Sequence, residues 1–529
     1  MQRSAREKKY LALSPFELKD KLISMATDRG AKMMLNAGRG NPNWVTITPR
    51  RAFADFMHFA LQESESNPHR RRLGNVPVKK GIAKRLREFI KGKEDQAGPK
   101  FIGIALDYVV NEMKIDADSF VLEMCDAILG DHYPTPDRML SISEQIVHKY
   151  LEQEMFKGKV PGGKFDLFAT EGGTAAMDYI FNSLMENHLT HKGDKIALGT
   201  PIFTPYIEIP RLNDYKFVEI NILQDENNDW QYPDAELKKL EDPKIKAFFL
   251  VHPSNPSSVA MHQKSLNKVA QLVKTKRKDL ILLTDDVYGT FVNEFKSLAA
   301  IAPLNTILVY SFSKYFGATG WRLGVIGLHE NNVFDKMIKK LPLKFRKELN
   351  KRYSTVVTVP ENMKLIDRMV ADSRSVALHH TSGLSTPQQV LMVFFSLYCL
   401  TDKKGAYKEE AQSIVYERFE TLYKNIGIPC PRHPLDAHYY TMVDVPKLAK
   451  QRYGDEFAKW LVKNHEPIDY VWRLADEYGV VLMDGGGFDA PNMSVRVSLA
   501  NLQLEAYAKI GKAISELLEK YNQEFKAGR

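Results

Sequence analysis

Residues 306–324 read TILVYSFSKYFGATGWRLG, and this stretch decides the fold. Its first part, TILVYS, is a short apolar run that reads as a strand buried on both faces. The run stops at Ser311, Phe312, Ser313 and Lys314, and Arg322 follows eight residues after the lysine. In open α/β sheets, ligands bind outside the carboxyl ends of the strands. A neutral amine at the mouth of a buried site there can condense with an aldehyde and then act as a general base. Arg322 offers a planar fork for a phosphate dianion, and Ser311 and Ser313 offer hydroxyl donors. Alone, a lysine at a strand end is more often a surface charge, so the neighbouring segments have to decide.

Working outward, DKIALG, IKAFFLV, LILLTDD and LGVIGL are compact apolar runs separated by helical stretches. That alternation predicts a largely parallel sheet covered on both faces. Three more polar segments fall at the ends of these strands. Thr170-Glu171-Gly172-Gly173-Thr174 lies between a strand and the amphipathic AAMDYIFNSLM. Glycines at a helix N-terminus let the backbone approach an anion closely. Thr284-Asp285-Asp286-Val287-Tyr288 follows LILL, and there Asp286 by itself reads as a helix cap. His252-Pro253-Ser254-Asn255-Pro256-Ser257-Ser258 follows AFFLV.

The ends of the chain have a different texture. The first 150 or so residues read as helical, with Ser14-Pro15-Phe16-Glu17 and Ser141-Ile142-Ser143-Glu144 as capping boxes. The first predicts a helix through about Ala26; the second precedes IVHKYLEQEMF. AFADFMHFALQ, GIAKRLREFIKG and VLEMCDAILG carry apolar residues at helical spacing between them. Residues 336–384 are charged and irregular and look like an insertion. Past about residue 385 the pattern is α+β, with long helices (QQVLMVFFSLYCL and the C-terminal LEAYAKIGKAISELLEKYNQEF) around the strands HYYTMVDV and SVRVSLA. The expected division is 1–150, 151–335, 336–384 and 385–529.

Composition excludes several classes. With 44% hydrophobic and 26% charged residues the chain is an ordinary globular one, and no apolar run reaches the roughly 20 residues that span a bilayer. No secretory signal is seen behind the basic start. Cys125, Cys399 and Cys430 are too far apart for a zinc or disulfide framework, which fits a reducing cytoplasm. The net charge of +9 is concentrated most at His69-Arg70-Arg71-Arg72 and on to Arg87. That stretch reads as a solvated helical face or a subunit contact, and no nucleic-acid signature accompanies it.

As an ordered set, these segments resemble the fold-type I aminotransferases, which depend on pyridoxal 5′-phosphate. The resemblance spans residues 170–500. It implies an α/β fold: a large domain on a mostly parallel sheet of the seven-stranded type, a smaller α+β domain, and a helical N-terminal extension that contributes to the small domain and to oligomer contacts. It implies that Lys314 holds the cofactor covalently. Asp285 would keep the pyridine nitrogen protonated, and Tyr288 and Asn255 would contact the phenolic oxygen. Gly172, Gly173, Thr174, Ser311, Ser313 and Arg322 would cradle the phosphate. Phe203, in Pro201-Ile202-Phe203, would stack on the ring. Arg496, in Ser494-Val495-Arg496-Val497-Ser498, would grip the substrate α-carboxylate. Ser258 stands where the family has the glycine of N-P-T-G.

Within that family the long helical lead-in and the insertion resemble the bifunctional aspartate 4-decarboxylases. Asn36-Ala37-Gly38-Arg39-Gly40-Asn41-Pro42 is similar to the segment that closes over substrate, with Arg39 between the glycines to meet a distal carboxylate. Tyr133 resembles the tyrosine that reaches the neighbouring subunit's cofactor phosphate, so the site would need a dimer or larger homo-oligomer. The resemblance implies β-decarboxylation of L-aspartate to L-alanine and CO2, with aminotransferase activity toward 2-oxo acids. It implies no metal and no nucleic-acid or membrane partner. The alternative is a plain aspartate-type aminotransferase. A transcription regulator would need a winged helix-turn-helix and a flexible linker, and neither is found.

Overall fold

The computed structural model describes residues 10, 13, 15–28, 34–158, 162–221, 228, 230–374 and 383–528. The apolar runs build a seven-stranded sheet from β1 (Phe165–Thr170), β2 (Lys195–Thr200), β3 (Lys216–Asn221), β4 (Ile245–Val251), β5 (Ile281–Asp285), β6 (Thr306–Ser311) and β7 (Gly324–His329). Their order is β1-β7-β6-β5-β4-β2-β3. The pairs β2–β3, β2–β4, β4–β5 and β5–β6 are parallel. The sheet is largely parallel, as expected, with LGVIGL the exception: β7 runs antiparallel to both β1 and β6. A parallel return needs a crossover of a dozen or more residues, usually a helix. The chain between β6 and β7 is instead taken up by the Lys314 turn and a 3-10 turn at Thr319–Trp321.

Every residue of β5 and β6 is buried, as two-sided coverage requires. Alternation divides the sheet between two apolar clusters. Phe248, Leu250 and Leu282 face one of them, and Ala247, Phe249 and Leu283 face the other.

The lead-in is helical: α1 (Pro15–Asp28), α2 (Ile47–Ser66), α3 (Ile82–Ile90), α4 (Ala97–Asn111), α5 (Ala117–Leu129) and α6 (Ser141–Leu151). The proposed cap Ser14 lies outside the described residues. The second capping box is corrected, because Ser141 is the first helical residue and no side chain caps at Leu140. Glu123 of α5 does that work from a neighbouring helix, accepting from the backbone N–H groups of Ile142 and Ser143 at 2.9 and 2.8 Å. Glu144 instead pairs with Arg138 at 3.1 Å. The basic stretch His69–Arg72 is not a helical face either. It lies in an exposed hairpin formed by the short strands Pro68–Arg70 and Leu73–Gly74.

The site-bearing turns continue into α7 (Gly173–Glu186), and the segment expected to be irregular folds as α8 (Leu343–Tyr353) and α9 (Leu365–Arg374); residues 375–382 lie outside the described part. Its charges turn inward. Buried Asp372 accepts from Ser183 of α7 at 2.6 Å and from Tyr353 at 3.0 Å, and pairs with Arg352 at 3.0 Å. α10 (Thr386–Thr401) is apolar nearly all round and accordingly buried. It packs against α2 and α4 through Phe394, whose ring lies 5.7 Å from Phe56 and 6.1 Å from Phe101. So α2 to α6 share the core of the large sheet.

A second core forms around α11 (Ala406–Ile426), α12 (Leu504–Ala527) and the three-stranded sheet of β8 (Tyr440–Asp444), β9 (Met483–Asp484) and β10 (Ser494–Ser498). α1 joins this core through Leu18 and Leu22. Residues 35–36 add a parallel pair to Val480–Val481. From there the chain runs across to the large sheet, where the Trp44 indole donates to Tyr315 O at 3.1 Å.

Candidate active site

The carboxyl ends of β4, β5 and β6 open into a cavity of about 360 Å³. β10 and residues 38–41 close it from the other core. Lys314 stands at its centre, half-buried, and its amine donates to Gly40 O at 3.0 Å. Tyr439 donates to the same carbonyl at 2.9 Å. The loop predicted to cover a substrate is thus fastened to the lysine.

Behind Lys314, Asp285 ends β5 and is 4% exposed. It accepts from Tyr206 Oη at 2.6 Å and from Val287 N–H at 3.1 Å. Burial lifts its pKa to about 6 against the pull of those bonds. Asp286 points away from the cavity and caps no helix. It is fully buried with Thr284 donating to it at 2.5 Å, and burial lifts it to about 8. Tyr288 is buried and holds its proton well above the usual phenol range, chiefly through desolvation. Its hydroxyl receives Asn255 Nδ2 at 3.5 Å and donates to Tyr440 at 3.2 Å. The Asn255 loop keeps its shape without the family's glycine. Ser258 takes the left-handed conformation, φ 64°, and its hydroxyl accepts from Tyr440 N–H at 2.9 Å. A non-glycine residue is uncommon in that region.

At the opposite end, Ser311 donates to Ser313 at 2.9 Å. Gly172 precedes α7 with φ 92°, and an added Cβ would lie 2.3 Å from Arg322 Nη2. That close approach leaves room only for a glycine. Gly173, exposed Thr174 and Arg322 line this end of the cavity, where the first N–H groups of α7 have no helical partner. Phe203 lines the side wall, its ring set edge-on to Tyr206 at 5.4 Å.

Arg496 comes from β10 and is 2% exposed. Its guanidinium donates to Asn255 Oδ1 at 3.2 Å and Gly38 O at 2.8 Å, and lies 4.2 Å from the Tyr440 ring centre. No carboxylate pairs with it among the described residues, and its Nε has no partner. Burial lowers its pKa. A desolvated cation of this kind lining a cavity is matched to an incoming anion. Arg39, also lining the cavity, is exposed and has no ion pair among the described residues. Tyr133 is elsewhere, 68% exposed on the surface and outside the cavity of its own chain.

Among the lining residues that escaped the sequence reading are Lys19, Tyr206, Tyr440 and Met483. Tyr206 carries a signal, standing one helical turn beyond Phe203. Lys19 lies on α1, distant in sequence, and nothing local marks it. It pairs with Asp20 at 3.1 Å.

A family model described as aminotransferase class I and II matches residues 155–514. The chain belongs to this family. Among its relatives, a bifunctional aspartate aminotransferase and L-aspartate beta-decarboxylase from Pseudomonas sp is 50% identical over 517 residues, 97% of each chain. An aspartate aminotransferase from Pyrococcus abyssi is 33% identical over 152 residues, covering 28% of this chain and 38% of that one. Among solved structures, a Thermus thermophilus aspartate aminotransferase double mutant matches with a TM-score of 0.60 at 16% identity, over 94% of this chain and 96% of that one. Bna3p from Saccharomyces cerevisiae matches with a TM-score of 0.60 at 16% identity over 98% of both chains. These structural matches bear on the fold alone.

Class I and II aminotransferases work with pyridoxal 5′-phosphate, and this cavity fits it. An aldehyde needs the amine that Lys314 offers. A protonated pyridine needs a buried carboxylate, and Asp285 is one. A phosphate needs the glycine turn, helix N-terminus and guanidinium that converge at Gly172, Gly173 and Arg322.

Proposed function

We propose that this aminotransferase-family enzyme removes the β-carboxyl of L-aspartate to give L-alanine and CO2, and also exchanges amino groups with 2-oxo acids. The observation that carries the reading is a cavity lined, besides Lys314, by two unlike cations. Among the described residues, buried Arg496 pairs with no carboxylate and exposed Arg39 has no ion pair. A dicarboxylic amino acid supplies one carboxylate to each. The Pseudomonas relative's two activities support the choice of aspartate.

When bound, the cofactor supplies a conjugated system that accepts electrons released at the substrate's carbons. The chain's residues do the rest. Lys314 would hold the cofactor through its aldehyde and would carry the substrate's Cα proton. Asp285, oriented by Tyr206, would keep the pyridine nitrogen protonated. Tyr288 and Asn255 would address the phenolic oxygen. Gly172, Gly173, Thr174, Ser311, Ser313 and Arg322 would hold the phosphate, and Phe203 would stack on the ring. Arg496 fixes the α-carboxylate, which stays throughout. The β-carboxylate must be recognised and still leave. A tight clamp on it would stabilise the ground state more than the transition state. The exposed Arg39, with Lys19 behind it on α1, suits that looser task.

Tyr133, exposed here, would complete the phosphate site of a second subunit, and the N-terminal helices would supply oligomer contacts beside the small and large domains. Sedimentation should show a dimer or larger, and a fully active monomer would rule this out. The function itself is tested with L-aspartate carrying ¹³C in its β-carboxyl. Labelled CO2 and unlabelled alanine are expected, and label retained in oxaloacetate alone would refute the reading.

A further inference from the structure

Removing CO2 from the β-carbon creates a demand that amino-group exchange never makes. The bond to the carboxyl carbon breaks, its electron pair stays with the β-carbon side, and a proton must later arrive there. The proposed function therefore needs an acid on the substrate's side of the cavity.

Most lining groups are otherwise engaged. Asp285 and Tyr206 share one hydrogen bond behind the ring position. Ser311, Ser313 and Arg322 belong to the phosphate end. Tyr288 is given to the phenolic oxygen, Arg496 stays charged, and Lys19 pairs with Asp20.

Tyr440 differs from all of these. It is 2% exposed, lines the cavity, and accepts from Tyr288 Oη at 3.2 Å. Among the described residues no group accepts its own proton. Its hydroxyl stands over Gly40, where an added Cβ would lie 2.2 Å from the Tyr440 oxygen and 3.4 Å from Lys314 Nζ. Glycine at position 40 thus leaves open a space flanked by the phenol and the catalytic amine. The Arg496 guanidinium lies 4.2 Å from the ring centre, so positive charge is in place beside the oxygen once its proton has gone.

We propose that Tyr440 is a catalytic acid, delivering the proton that the substrate β-carbon takes up after CO2 has left; this rests on the aspartate reading above. A C–H bond forms at the β-carbon with the Tyr440 hydroxyl proton, and the electron pair returns to make it. The phenolate left behind is reprotonated from solvent, so one proton is consumed for each CO2 released.

The test compares wild-type holoenzyme with Tyr440→Phe in three measurements. Alanine formation from L-aspartate should fall about 100-fold, the scale of one lost general acid. Transamination of aspartate with 2-oxoglutarate should fall at least about tenfold less than alanine formation does, because it needs no proton at the β-carbon. Succinate binding to the cofactor-free protein, read by calorimetry, should be unchanged, which separates proton delivery from a binding role. In tritiated water, aspartate bearing one stereospecific β-deuterium should give alanine with a methyl group of single configuration from wild type. The residual alanine from the variant should be scrambled. Both reactions falling by the same factor would overturn the assignment, as would alanine formation near the wild-type rate or single-configuration alanine from the variant. Wild-type protein that releases no CO2 would instead refute the aspartate reading, and this assignment with it.

Discussion

The inner wall of the cavity and its outer rim hold cations in opposite ways. Arg496 sits on a strand between two others, 2% exposed, tied to Gly38 O and Asn255. Arg39 sits on the loop beside it, exposed and without an ion pair among the described residues. Rigid elements locate a group more sharply than loops do. On the proposed function, the wall would fix the carboxylate that remains and the rim would meet the one that departs. The loop is not independent of the wall: Gly38 O receives Arg496 and Gly40 O receives Lys314. Closing the rim and positioning the lysine are one structural event.

The largest effect belongs to the wall. Lys314→Ala should lower both activities by about 10⁴-fold, the upper scale of general acid–base catalysis. Borohydride reduction of the wild-type holoenzyme should fix the cofactor on Lys314, and peptide mapping that finds it on another lysine would break the scheme.

Next comes Asp285→Ala, which should bind cofactor yet lose about 100-fold or more in turnover, roughly 2.7 kcal/mol of barrier. Turnover within about tenfold of wild type would remove the residue from the mechanism. Burial raises this carboxyl to about 6, which also fixes a pH dependence. A carboxyl raised on folding contributes stability to the cofactor-free protein that is fully present below its unfolded value of 3.8 and is lost as pH rises through about 6. Cofactor binding should run the other way, strengthening as the carboxylate forms across the same window. Asp285→Asn should flatten both trends in a calorimetric titration.

Arg496→Ala and Arg39→Ala test the contrast itself. Losing Arg496 should cost both reactions about 100-fold together, as expected for a charge-assisted pair at a desolvated site. Losing Arg39 should raise KM for aspartate about tenfold, near 1.4 kcal/mol, and shift products from alanine toward transamination. Equal losses from the two substitutions would erase the distinction between wall and rim.

The sequence was most readable where chemistry and strand ends coincide. Lys314, Asp285, Asn255 and Arg322 follow short apolar runs, so periodicity and residue type point to one edge of a sheet. Those four, with Arg496, line a single cavity. Less was readable where the deciding partner is remote. Glu123 caps α6 from another helix, so the local Ser141 pattern misled. The antiparallel turn of β7 depends on how the Lys314 loop is spent, which apolar content does not record. Residues 336–384 read as charged and irregular, yet their described part forms helices in which Asp372 and Arg368 are buried, with partners Ser183 on α7 and Asn187 just after it. Lys19 and Tyr440 reach the cavity only through the packing of the second core against the first.

The central claim is tested most directly by supplying L-aspartate alone, with no 2-oxo acid, and following CO2, alanine and oxaloacetate over many equivalents of enzyme. A decarboxylase does not need a second amino acceptor, so CO2 and alanine should accumulate together in equal amounts well beyond the enzyme concentration. Oxaloacetate that stops at one equivalent per site, with no CO2, would show an aminotransferase instead and contradict the account.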